Sequence, residues 1–191
     1  LDRSKLCSFD NEVIEAPTAP LIHQEARFLY ICAGRGVIRV QGRDITLQPD
    51  TLLSILPWQI TAVTSVSEPL QYHLVVYNLY TIGRFMRAFS DEHGDAVDWL
   101  GHIERGPALY CSAGQAQQMR RIFQALRDEV GLESLPGDVP PKPLAPLAAV
   151  NRLIELIIWL ERFRIQQPTA APLASAAPDM SEILRYLYCH T

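Results

Sequence analysis

Between Arg27 and about Tyr77, short stretches rich in Val, Ile, Leu, Tyr and Thr are broken at regular intervals by Gly, Pro and Asp, and this rhythm constrains the fold more than any other feature. β-Branched and aromatic residues suit a pleated strand, and the interrupting residues suit tight turns. The stretches are RFLYICA, VIRVQ after Gly34-Arg35-Gly36, DITLQ after Gly42, TLLSILP after Pro49-Asp50, QITAVTSV and LQYHLVVYN. Crossovers between parallel strands each need about a dozen residues, more than so short a segment can supply. A mainly antiparallel sheet follows, as a small sandwich or barrel, with Gly34, Gly36 and Gly42 supplying the positive φ of hairpin turns. Alternation puts Arg27, Leu29, Ile31 and Ala33 on one face of the first strand and Phe28, Tyr30 and Cys32 on the other. Both faces are apolar enough to be covered, one by the opposite sheet and one by helices, and the sequence leaves the inward one undecided.

From Ser112 onward the period changes. Met119, Ile122, Phe123, Leu126 and Val130 recur at helical spacing, with Ser112 as N-cap and Gly131 as stop. A Pro-rich loop then leads into LAAVNRLIELIIWLERFRIQQ. There Val150, Leu153, Ile154, Ile157, Leu160 and Arg164 trace one face, while Leu156, Ile158, Trp159 and Phe163 add a second. A surface helix needs one apolar stripe, so the excess implies two partners. One is the sheet or the first helix and the other a second subunit, with Leu153, Ile157, Leu160 and Arg164 expected at the dimer interface; burial wholly within the monomer is the alternative. Phe85 and Met86 fall on a short helix after the last strand. The Pro/Ala-rich PTAAPLASAAPD reads as a linker, and Asp179 or Ser181 as the cap of a last helix from Met180 to Cys189.

Composition narrows the function. With 48% hydrophobic and 20% charged residues the chain carries a packed core and is not disordered. Seventeen Lys and Arg against 21 Asp and Glu leave a net charge of −4, so the average field repels nucleic acid and this segment is not itself a DNA-binding domain. Four scattered cysteines without a C-x-x-C pair argue against a zinc knuckle or redox motif. The sequence has no apolar run near the ~20 residues of a membrane span and no signal-peptide core, so a cytoplasmic location is expected. Leu1 at the start, and the break inside the helical pattern SEILRYLYCHT, read as a fragment of something longer.

The run RFLYICAGRGVIRVQGRDITLQPDTLLSILP resembles the cupin domains at the N-terminus of AraC-type transcription regulators. The likeness lies in the order of a strand, a Gly-x-Gly turn, a strand ending at Gly42, a strand leading into Pro49-Asp50, and a hydrophobic strand ending in Pro57. The family turn usually reads Pro-Gly-Asp; here Asp50 stands in the Gly place and Thr51 in the Asp place. The helices after residue 112 resemble the family's dimerisation segment, and SEILRYLYCHT the opening of its DNA-binding domain. The resemblance implies a cupin-like antiparallel β-barrel followed by two or three α-helices. It divides the chain into an arm and effector-binding barrel (1–111), a helical dimerisation segment (112–167), and a linker with the first helix of a truncated DNA-binding domain (168–191).

Enzymatic cupins hold a metal with a His-x-His pair, a Glu and a later His. This sequence keeps His23 and Glu25, places Arg27 near the ligand Glu and Thr61 where the third His would follow Pro57. A guanidinium there opposes a divalent cation. No metal, cofactor or catalytic residue is expected, and a metal-dependent dioxygenase or sugar isomerase is the alternative. Facing inward, Arg27 would be a fixed cation for a carboxylate, a phosphate or a sugar hydroxyl, the competing arrangement being a surface pair with Glu25. Tyr72 and His73 lie on opposite faces of their strand, so one of them faces in. Trp58 at the barrel mouth, His23 and Phe85 complete the candidate ligand contacts. The expected protein is a homodimeric, non-enzymatic effector sensor reaching DNA only through a missing helix-turn-helix domain. Its effector is a small molecule, a sugar or a carboxylate, and its arm (residues 1 to 20) orders on binding.

Overall fold

A computed structural model describes residues 6–93, 99–131 and 143–166. The strands are β1 (Cys7–Ile14), β2 (Leu21–Ile22), β3 (Ala26–Val40), β4 (Arg43–Leu47), β5 (Thr51–Ile55), β6 (Ile60–Tyr77) and β7 (Ala108–Tyr110). The helices are α1 (Leu79–His93), α2 (Trp99–Arg105), α3 (Ala113–Val130) and α4 (Ala145–Gln166). Every strand pair is antiparallel, in the order β1-β6-β3-β5-β7, with β2 added to β6 and β4 to β3. The fold class is the expected one, mainly antiparallel β with helices. The expected linker and the helix from Met180 to Cys189 lie outside the described residues.

Two turns form as their residues dictate. Gln41 and Gly42 both take positive φ, 48° and 78°, in the two-residue loop between the paired Val40 and Arg43, as a type I′ hairpin demands. Pro49 and Asp50 turn β4 into β5, closed by the Thr51 N–H donating to the Gln48 carbonyl at 3.1 Å. Asp50 holds φ 63° where a glycine is usual. Its carboxylate accepts from the Tyr30 hydroxyl and from Arg120 Nη1, which ties the turn to both β3 and α3.

Gly34 and Gly36 do something else. The hairpin expected there does not form: RFLYICA and VIRVQ are one strand, β3, and QITAVTSV and LQYHLVVYN are one strand, β6. The two run side by side with register shifts between Ile31 and Gly36. A Cβ on Gly34, whose φ is 90°, would sit 2.0 Å from the Pro69 carbonyl oxygen, and one on Gly36 would sit 2.5 Å from that of Ser65. The glycines let two long strands bend together without parting.

The bend creates two faces. Leu29 and Ile31, before it, share a buried cluster with Ile38 and Val40, after it, and with Leu47, Leu53, Ile55, Val63 and Leu70, so the sheet wraps around this inner face. The opposite face carries Phe28, Tyr30, Leu52, Val75 and Tyr77 and is covered by α1 to α4. Arg27, Leu29 and Ile31 therefore point inward.

Two sequence expectations need correction. Residues 7–14 of the expected arm are β1, paired along its length with β6, because Cys7 and Phe9 alternate into the covered core. Leu153, Ile157 and Leu160, expected at a dimer interface, are 0%, 0% and 1% exposed within this single chain. Their side of α4 faces α3 and the sheet. The helix leaves Leu147, Ile158 and Ile165 outside instead.

Replacing Gly34 by Ala should cost about 3 kcal/mol or more in urea unfolding, since backbone oxygen cannot give way and the φ is unfavourable. Gly42→Ala, with nothing within 4 Å of the added Cβ, should cost about 1 kcal/mol from φ alone.

Candidate functional site on the inner face of the sheet

Arg27 lies near the start of β3, opposite Ile55 of β5 and Val76 of β6. Its Nε is buried without a hydrogen-bond partner, and no carboxylate among the described residues stands within ion-pair distance. The surface pair with Glu25 is therefore not made. Burial lowers the guanidinium's pKa, opposed by the Tyr72 phenol and then by Glu25. An arginine remains cationic under such a shift, so the group stays a charge in search of a partner.

Tyr72 stands on β6 opposite Ile31 and packs against the inner cluster. Desolvation, with the nearby Glu12 carboxylate, pushes its hydroxyl up to about 12, against the pull of Arg27, so it remains a protonated donor at neutral pH. Of the two neighbours left open by the sequence, Tyr72 faces in. His73 faces the helices: it sits 5.4 Å from the Phe9 ring and 6.1 Å from that of Phe123, with Nδ1 donating to Asn11 Oδ1 at 2.6 Å. Burial, and then Arg127, lower its pKa.

His23 precedes β3 and is buried, its Nε2 hydrogen-bonded to Thr61 Oγ1 at 2.6 Å. Desolvation and then the Arg27 charge bring its pKa down to about 4, so it is neutral at pH 7. The resemblance to metal cupins put a third ligand histidine at position 61. There a threonine occupies the imidazole's lone nitrogen instead, and among the described residues no three His, Cys, Asp or Glu side chains group to hold a metal. Trp58 is 49% exposed with φ 68°, and its N–H donates to the His23 carbonyl at 2.5 Å, which places it at the edge of this cluster. Phe85 lies on α1, in the helical layer on the other side of the sheet, half-exposed. The structure thus assembles Arg27, Tyr72 and His23, sets Trp58 beside them, and separates His73 and Phe85 from them.

Sequence reasoning missed two groups. Glu12 and Asp10 pair with Tyr72 and Leu74 and share their inward parity. The period-two pattern of Ser8, Asp10 and Glu12 against Cys7, Phe9 and Val13 was the available signal. Glu161 was the other: this buried carboxylate of α4 is hydrogen-bonded to His102 Nδ1, and Arg164 Nη1 donates to the His102 carbonyl at 2.6 Å. Arg164 thus anchors α4 to α2 within the chain, and His102 joins that anchor.

The lowered His23 pKa fixes a pH dependence. Above about 6.5 the imidazole is neutral folded or unfolded. As the pH falls from there towards about 4 the unfolded chain takes the proton first, and stability drops by up to about 1.4 kcal/mol per pH unit. His23→Gln should flatten the pH 6.5 to 5 slope of urea-unfolding free energy by close to one proton.

With this geometry in place, comparison with known proteins gives the following. A family model described as "AraC-like ligand binding domain" matches residues 10–135. No curated protein matches the chain. Among solved structures, a cupin protein from Bacteroides fragilis is 21% identical, with a TM-score of 0.33 over 38% of this chain and 64% of its own. The EutQ protein of Clostridium difficile is 17% identical, with a TM-score of 0.35 over 38% of this chain and 56% of its own. A predicted oxalate decarboxylase from Thermotoga maritima is 17% identical, with a TM-score of 0.34 over 37% of this chain and 65% of its own. The chain therefore spans less than two thirds of the length of each of these proteins. No helix among the described residues is long and apolar enough to cross a membrane.

Proposed function

The chain belongs to the family of AraC-like ligand-binding domains, and from that membership we propose that it senses a small-molecule effector on the inner face of its sheet, pairs as a homodimer through α4, and controls an attached helix-turn-helix DNA-binding domain. Arg27 carries the effector reading. Some arginines find acids, as Arg39 with Asp44 at 2.7 Å and Arg152 with Glu155 at 2.8 Å. Arg27, half-buried, and Arg164 each have a buried Nε without a hydrogen-bond partner, but Arg164 has the Glu161 carboxylate 3.8 Å away and Arg27 has no acid within ion-pair distance among the described residues. A buried guanidinium N–H left without an acceptor is a cost that a bound anion or polar ligand removes. Tyr72 supplies a hydroxyl beside it, and Trp58 and the His23–Thr61 pair border it. The site reads as a binding site and not a catalytic one, since a neutral, hydrogen-bonded His23 and an arginine make no nucleophile or acid–base pair.

The outer side of α4 supports the dimer. Leu147, Ile158 and Ile165 lie on one line along the helix and are 59%, 41% and 78% exposed, although the seven-residue repeat is broken at the buried Glu161. This stripe, not the buried Leu153, Ile157 and Leu160, is the surface that suits a second copy.

Two measurements test the reading. Arg27→Leu should raise the stability of the ligand-free protein by about 1 kcal/mol, as loss of an unpartnered buried charge does at a binding site; an arginine with a structural role would lower it on removal. Ile158→Asp should give a folded monomer in sedimentation analysis, while Ile157→Asp should unfold the chain, at a cost of several kcal/mol for a charge in the core. A dimer that survives Ile158→Asp would remove α4 from the interface.

A further inference from the structure

Resting on the inner-face reading above, we propose that the effector is a monocarboxylate with an apolar body, an aliphatic or aryl-alkyl acid, and neither a sugar nor a dicarboxylate. The carboxylate belongs at Arg27. Its planar fork suits the two oxygens of a carboxylate, and its buried Nε is a donor without an acceptor. The Tyr72 hydroxyl, protonated and on the same face, is a further donor.

What surrounds these two groups selects the body of the ligand. Leu29 follows Arg27 on this face of β3 and Ile55 stands across from it on β5, both already buried in the apolar cluster that forms the floor beneath the guanidinium. On β6 the inward Tyr72, Leu74 and Val76 are half-buried, so apolar surface beside the guanidinium stays accessible. Covering it with hydrocarbon is favourable.

A sugar meets a different account. Each of its hydroxyls, taken out of water, needs a partner. His23 and Thr61 are already hydrogen-bonded to each other, and the inward side chains beside Arg27 on β3, β5 and β6 are aliphatic apart from Tyr72, which leaves the Asp10 and Glu12 carboxylates of β1 as the further acceptors for a whole ring of hydroxyls. A dicarboxylate fares no better. Asp10 stands opposite Leu74 and Glu12 opposite Tyr72, so a second carboxylate reaching across the face from Arg27 meets like charge from β1.

Thermal unfolding of the intact protein with octanoate, phenylacetate, succinate, inorganic phosphate and glucose tests this, in the wild type and in Arg27→Gln. Octanoate or phenylacetate should raise the wild-type Tm by about 5–10 °C at ~100-fold excess over Kd. Succinate, phosphate and glucose should leave it unmoved, and Arg27→Gln should abolish the response. If Arg27→Gln does not fold, as judged by circular dichroism, Tyr72→Phe provides the second reading, with an expected several-fold loss of affinity. An Arg27-dependent response to succinate, phosphate or glucose as large as that to octanoate overturns the ligand class and leaves the inner-face site standing. A response to octanoate that persists unchanged in Arg27→Gln overturns both. Silence from every probe overturns the class, and the site itself then stands or falls on the stability of Arg27→Leu.

Discussion

The fold rests on a place where two backbones approach closer than any side chain allows. At Gly34 and Gly36 the strand β3 passes against the carbonyls of Pro69 and Ser65, at separations a Cβ would abolish. Because both strands bend there together, pairing continues from Ala26 to Val40 on one and from Thr61 to Tyr77 on the other, with bulges taking up the strain. The consequence is enclosure: residues from both arms of the bend meet in one apolar cluster. Register is also locked. A slip of one residue would turn Leu29 and Ile31 out and Phe28 and Tyr30 in, exchanging the faces and carrying Arg27 out of the interior.

The same glycines show what a sequence discloses and what it withholds. Strand, glycine, strand is the pattern of a hairpin and equally the pattern of one bent strand. Gly42 was legible because a two-residue loop with positive φ is a local matter, settled by Gln41 and Gly42 themselves. Gly34 was not, because its reason is Pro69, far along the chain, and no local rule names that partner. The alternation along β3 was readable in full, but which face lay inside was not. The helices that cover Phe28 and Tyr30 present apolar surface of their own, and Phe123 of α3 stacks on Tyr30 at 5.2 Å. The choice between faces is therefore a tertiary decision.

In α4 the two apolar sides were visible in the sequence, and Leu153, Ile157 and Leu160 were expected at a second subunit, with burial inside the monomer as the alternative. The chain uses that stripe for itself, since α4 must first pack on α3, α1 and β7 to be held at all. The polar residues gave no better guide. Arg164 shares a helix face with Leu153, Ile157 and Leu160 and was expected at a subunit interface, yet with Glu161 and His102 it forms an anchor between α2 and α4, and the Glu161 side chain is only 8% exposed. A buried carboxylate of this kind is held by its partners, and those sit on another helix that the sequence does not place nearby.

Effector sensing needs a route from the inner face to the helices, and β3 supplies one without intermediaries. Arg27, Leu29 and Ile31 look inward, while Phe28 and Tyr30, the residues between them, look outward. Phe28 stacks on Tyr77 at 4.8 Å, and Tyr30 reaches the Asp50 carboxylate that also holds Arg120 of α3. On the proposed reading, a ligand held by Arg27 would act on the strand that seats α3 three residues further on, at Tyr30. The size of any such effect is bounded by the difference in ligand affinity between the two arrangements, commonly ~1–3 kcal/mol. Relief of the unpartnered charge at Arg27 is of that order. On that reading the energy and the lever would lie on one strand, and α3, packed along α4, would carry the displacement to the helix proposed to meet a second copy.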